Sequence, residues 1–203
     1  MDFLIFGFLT GLSLILAIGA QNIFVIEQGL KKQYVFLVCL ICSLSDLVLI
    51  FLGIFLFQYF NQFFNHIVEL IFNVLLLIFL SYFIFTKIKI NKEKVNFNQK
   101  ISKISIYNII IKTLSFTYLN PHVYSDTVFF LGNFSKNFLI EQKYYFGIGA
   151  SLASFLFFFI IGYLSKYLSK FFKRKKIWKI INLFIIVFMG FLALFVFIEI
   201  LNF

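Results

Sequence analysis

Six apolar runs, at roughly 3–26, 34–57, 66–86, 107–131, 144–165 and 177–200, leave this chain few ways to fold. Each has about 20 to 25 residues, enough at about 1.5 Å per residue to cross a hydrocarbon core of about 30 Å. None alternates apolar and polar residues, so the strands of an outer-membrane barrel are not expected. The chain is 62% hydrophobic and 13% charged, with a mean hydropathy of +1.01. Water-soluble domains are near half apolar and a quarter charged, so a soluble core is excluded. The first run is not a signal peptide, because Met1 and Asp2 supply no basic start and no clear cleavage site follows. The expected fold is an all-α integral membrane protein with six transmembrane helices.

The basic residues set its orientation. Lys31 and Lys32 lie between the first two runs, and Lys87, Lys89, Lys92, Lys94, Lys100, Lys103 and Lys112 lie in or beside the third connection. The fifth holds Lys166, Lys170, Lys173, Arg174, Lys175, Lys176 and Lys179. Only Lys136 and Lys143 fall on the other side, so the basic connections are expected in the cytoplasm and both termini outside. The net charge of +10 thus reflects membrane topology and anionic lipid rather than nucleic acid. Trp178, beside the last basic cluster, reads as an interfacial anchor.

The polar stretch 87–106 divides the chain almost in half, giving a first three-helix repeat (1–86), a basic cytoplasmic linker (87–106) and a second repeat (107–203). An odd number of spans per repeat turns the second half upside down. Many secondary transporters use that arrangement and bind substrate near mid-membrane at broken helices. Each half interrupts its first span with a polar cluster: "GAQNIFVIEQG" (Gly19 to Gly29) and "NPHVYSDTVFFLG" (Asn120 to Gly132). Pro121, the only proline, cannot continue the hydrogen-bond ladder. The groups freed by a break are tolerable in a membrane only where they face protein, water or ligand. The pairs Gly7/Gly11 and Gly147/Ser151 suit close helix packing.

These stretches, with "SLSDLVLIFLGIF" (Ser43 to Phe55) and "YLNPHVYSDTVFFLG" (Tyr118 to Gly132), resemble the LysE family of amino-acid exporters. The resemblance covers the whole chain and is nearest the lysine and arginine branch. It implies a multi-pass protein of the bacterial inner (plasma) membrane that exports basic amino acids on an ion gradient, and no enzyme. The family's first motif is usually GPQN, so Ala20 stands where proline is expected, and Gly19 is left to permit the bend.

Asp46, midway along the second run, and Asp126, deep in the fourth, each cost about 2.5–3.5 kcal/mol on insertion scales. Two such acids are expected to face a central cavity and bind a cation, a proton or each in turn. A carboxylate partly out of water takes up a proton more readily than an exposed one. His122, one turn before Asp126, suits either a proton relay or a neutral hydrogen bond. For Gln21, Asn22 and Asn120 two roles stay open: bonding the substrate's amino or carboxylate group, or bonding the broken backbone. Gly19, Ala20 and Pro121 mark the breaks. Glu27 is expected at the cytoplasmic rim, and His66, near a loop, is expected to be incidental.

Cys39 and Cys42 form C-x-x-C, but both lie within one apolar run and no second pair exists to accept electrons. Packing is the better reading than a transmembrane thiol–disulfide carrier. The chain shows no clustered Cys/His ligand set for zinc, and no cofactor is called for. A passive channel and an exporter of another amino acid remain alternatives, and a homo-oligomer is compatible with either. The partners expected are a basic amino acid, protons or another coupling ion, and membrane lipid. Single cysteines introduced at Gln33, Asn98 and Lys173 of a cysteine-free form should react only from the cytoplasm, and those at Gln62 and Asn137 only from outside. Labelling of position 98 by an impermeant reagent added outside would reverse the orientation.

Overall fold

Breaks in the hydrophobic pattern become breaks in the helices. The computed structural model describes residues 3–16, 19–63, 66–92, 105–170 and 175–201. Residues 93–104, most of the expected linker, and 171–174 lie outside the described residues, as do the side chains of His66 and Trp178. The described elements are α1 (Phe3–Ile15), α2 (Ala20–Lys31), α3 (Val35–Phe63), α4 (His66–Lys92), α5 (Ile106–Tyr118), α6 (Pro121–Tyr124), a π-helical turn (Ser125–Phe130), α7 (Leu131–Ser135), α8 (Ile140–Leu168) and α9 (Lys175–Leu201). Among the described residues all regular structure is helical.

Val35–Phe57 of α3 and Ile140–Leu168 of α8 are each long and apolar enough to cross a membrane. The first apolar run is two helices: α1 and α2 diverge by 83° and together pass the same test as one broken span. Helices α4 and α9 have 27 residues each, with apolar middles at Asn73–Phe85 and Leu183–Ile198. The fourth run is divided at Leu119–Asn120 into α5 and the α6–π–α7 segment.

Apolar residues fill the interior and also cover the exterior, and several polar side chains are buried between the helices. Ser43, Ser45, Asp46, Asn73, Thr113, Thr117, Ser151 and Ser154 are buried, while Ile5, Leu9, Phe36, Val48, Ile160 and Leu164 are exposed. A continuous apolar exterior is the surface expected against lipid tails. Hydroxyls buried within helices bond the preceding turn, as Ser43 to Cys39 O (2.8 Å) and Thr113 to Ile109 O (2.7 Å) do.

Helices α3 and α8 form the centre and pack along one another. The broken pair α1–α2 lies mainly on α8, whereas α5, the π turn and α7 lie on α3, and α4 pairs with α9. Lipid provides no hydrophobic drive for such contacts, so close backbone approach carries them. A Cβ on Gly11 would come 2.8 Å from the Ala150 Cα, and one on Gly7 would come closer still to the Phe146 carbonyl oxygen. Gly147, paired in the sequence with Ser151, instead meets the Phe51 and Ile54 side chains of α3. At the other end Gly29 lies on Gly162 and Ser165, which gathers Lys31, Lys166 and Lys170 at one end of the bundle. There α2 closes with Lys32 in the left-handed region (φ 56°), its N–H bonded to Gly29 O and that of Gln33 to Gln28 O.

Glycine is not needed at the first break. Gly19 has φ −108° and ψ −177°, extended backbone open to any residue, and a Cβ there would meet nothing within 4 Å. At Gly19 itself, therefore, the backbone makes no use of glycine's freedom. Gly19→Ala should leave membrane abundance and detergent melting temperature unchanged, whereas Gly11→Leu should overpack the α1–α8 contact, at about 1–3 kcal/mol, and lower both.

Candidate functional site

The two breaks meet. A cavity of about 390 Å³ is lined by Gly19, Ala20, Gln21 and Asn22 from the first break, and by Asn120, His122, Val123, Asp126 and Thr127 from the second. Asp46, Ile50, Ala150 and Ser154 come from the central helices, Leu76 and Leu80 from α4, and Leu192, Phe195 and Val196 from α9. Its size suits a small organic solute. Thus eight residues expected at the site or the breaks (Gly19, Ala20, Gln21, Asn22, Asp46, Asn120, His122 and Asp126) share one space. No Lys or Arg is among these lining residues.

Three of the freed backbone ends are closed by a side chain from their own break. Asn22 Nδ2 donates to Ile15 O (3.1 Å), reaching back across the first break to the open end of α1. Asn120 Oδ1 accepts from the His122 N–H (3.2 Å), capping the start of α6, and the Tyr124 hydroxyl donates to Tyr118 O (3.0 Å) at the end of α5. Of the two roles left open for the asparagines, bonding the broken backbone is directly visible for both.

The carboxylates differ in setting. Asp46 is buried, and its Oδ2 accepts a 2.7 Å hydrogen bond from the Ser154 hydroxyl of α8. Gln21 lies beside both Asp46 and Cys42, yet its Nε2 closes a full hydrogen bond with neither. Asp126 is half-buried in the π turn and lies within electrostatic reach of Asp46 and His122. His122 is exposed to the cavity with its ring 5.7 Å from that of Phe195, and no ion pair joins it to Asp126 among the described residues. The π turn is held by close packing: a Cβ on Gly53 would come 2.6 Å from Thr127 O and from the Val128 Cα. Wide π turns commonly mark functional sites, and this one presents Asp126 to the cavity.

Toward the basic end the bundle is closed. Phe116 is fully buried, with the rings of Phe24, Phe79 and Phe83 at 4.8, 4.7 and 5.1 Å. Beyond it Glu27 pairs with Lys31 and lies within electrostatic reach of Lys112. Glu27 is only 1% exposed, which corrects the expectation of a solvated rim: α2 carries it into the packing between α5 and α8. The cysteines are buried and unbridged, with Cys39 Sγ donating to Phe158 O (3.2 Å), as packing residues would be.

Sequence reasoning missed Ser154, Thr127 and the Phe116 cluster. The signal for Ser154 was present, a hydroxyl one turn beyond Ala150 on the small-residue face of α8. The phenylalanines were hidden by their own abundance, 34 in the chain.

Polar helix breaks and two acids around a cavity inside an apolar helical bundle define a membrane carrier of small solutes. The family of LysE type translocators matches residues 12–200, and the chain belongs to that family. Among similar proteins, the arginine exporter protein ArgO of Pectobacterium carotovorum subsp. carotovorum (strain PC1) is 35% identical over 198 residues, 93% of either chain. ArgO of Escherichia coli (strain K12) is 35% identical over 191 residues, 93% of this chain and 90% of its own. No solved structure is detectably similar.

Ser154→Ala removes the donor to a buried carboxylate. It should destabilise the protein by about 1–3 kcal/mol, read as a lower melting temperature in detergent, and reduce transport, while Ser154→Thr retains the hydroxyl and much of both.

Proposed function

We propose that this chain exports arginine, and other basic amino acids more weakly, from the bacterial cytoplasm across the inner membrane in exchange for protons. The observation that carries the reading is the convergence of Asp46 and Asp126 on one cavity without a lysine or arginine. Two acidic side chains with no lysine or arginine among the lining residues, and only His122 as a basic neighbour, favour a cation. The names of the relatives support arginine as that cation. A guanidinium, planar and always charged, pairs with a carboxylate through two hydrogen bonds where an ammonium offers a point charge.

The coupling follows from electrical work. Moving one positive charge outward against an inside-negative potential of 100 mV costs about 2.3 kcal/mol, and one proton moving inward offsets it. Asp46 and Asp126 would hold the cation and, after its release, a proton, with His122 placed to pass it on. Proximity of the two acids makes simultaneous ionisation unfavourable once the cation leaves, which favours proton uptake at that moment.

The same reading takes the chain as two inverted three-helix repeats, 1–86 and 107–203, joined by the cytoplasmic linker 87–106. The exchanged packing supports it: the broken segment of each half lies on the long helix of the other, α1–α2 on α8 and α5, the π turn and α7 on α3. With the basic end in the cytoplasm, the Phe116 cluster and the Glu27–Lys31 pair form the inner barrier. The thiol–disulfide alternative has no support in two buried, unbridged cysteines packed on α8.

Asp46→Asn and Asp126→Asn should each abolish export of labelled arginine at near-normal membrane abundance, measured as uptake into inverted vesicles with and without an imposed pH gradient. Each replacement keeps size and most hydrogen bonding, removes the charge and lowers the insertion cost. Near-normal, gradient-driven flux in both variants would reduce the acids to structural residues.

A further inference from the structure

Resting on the export reading, we propose that the first turn of α2, with the Gln21 amide, receives the α-carboxylate of the substrate, so that the carrier selects intact amino acids over the corresponding amines. A cationic amino acid brings two positive groups and one negative group into the cavity. Asp46 and Asp126 answer the positive groups, but both repel the carboxylate. No lining residue is a lysine or arginine, so a side-chain partner of fixed positive charge is absent there.

The end of α2 supplies what is missing. Ala20 and Gln21 open a helix of 12 residues, and their N–H groups precede its first intrahelical bond, from Ile23 N to Gly19 O at 3.2 Å. No side chain caps this end, whereas Asn120 caps the start of α6. Among the described residues the space in front of it is open, since a Cβ on Gly19 would meet none of them within 4 Å. Gln21 is 6% exposed, lines the cavity, and has an Nε2 that lies beside Asp46 and Cys42 and closes a full hydrogen bond with neither. A buried amide donor left unmatched beside an uncapped helix start is the arrangement that takes an anion. The substrate is thereby oriented: carboxylate on α2, α-ammonium beside Asp46, side-chain cation toward Asp126.

The test compares arginine with its decarboxylated amine, agmatine, using the purified full-length protein in liposomes. The intact protein should carry the amine at least about tenfold less well than arginine, the difference one charge-assisted contact makes. Arginine, and not the amine, should raise its melting temperature in detergent. Gln21→Glu places a negative charge against the carboxylate, so it should depress arginine flux more than amine flux and narrow or reverse the ratio. Gln21→Leu should narrow it without that repulsion. Equal carriage of the two compounds by the intact protein would overturn the assignment. So would an unchanged ratio in both Gln21 variants, or a ratio that moves only with His122→Asn, since the carboxylate would then sit on the histidine. Absence of any arginine flux through the intact protein would instead remove the export reading itself.

Discussion

A peptide group without a hydrogen-bond partner costs several kcal/mol in hydrocarbon, and this chain breaks two of its helices in the apolar interior. Everything at the centre of the molecule answers that expense. Asn22 reaches back to Ile15 O, Asn120 caps α6, and Tyr124 bonds Tyr118 O, so each break carries its own polar closure a few residues away. The breaks are then placed facing each other across a cavity rather than toward lipid. One end, the start of α2, is left without a side-chain cap, and it faces open space.

Small residues make this geometry rigid. Gly7 and Gly11 set α1 on α8, and Gly53 sets α3 on the π turn, so the carboxylates are held by backbone-to-backbone contact. Asp46 rests on a straight helix with a serine donor from α8, while Asp126 rests on a wide turn and stays half-buried. The two acids therefore belong to different mechanical parts, one to the central pair and one to a broken segment. A carrier that moves its broken segments against a central pair would change their separation, and with it their joint charge.

The aromatic layer around Phe116 separates this cavity from the basic end. It joins α2, α4 and α5 in one contact and excludes water there, with the Glu27–Lys31 pair beyond it. The short, strained connection at Lys32 and Tyr34, both at positive φ, lies beside that seal.

Membrane residence, helix type, both breaks and most of the polar residues that line the cavity, though not Ser154 or Thr127, were legible from the sequence, because hydrocarbon penalises polar groups so heavily that each one kept there is a signal. The motif "LNPHVYSD" announced its break through Pro121 and placed an acid, Asp126, at the cavity beside it. Length and hydropathy are local properties, so they survive without a fold. What only the tertiary structure decided was which groups meet. Ser154 is an ordinary hydroxyl until α8 lies on α3 and places it 2.7 Å from Asp46. Glu27 reads as a rim residue until α2 is turned by 83° from α1 and carries it into the packing. Gly19 was credited with the bend, yet its backbone is ordinary and the space before it is what matters. Contacts between residues more than a hundred positions apart depend on helix direction and packing distance, and neither is written in the composition of a single run.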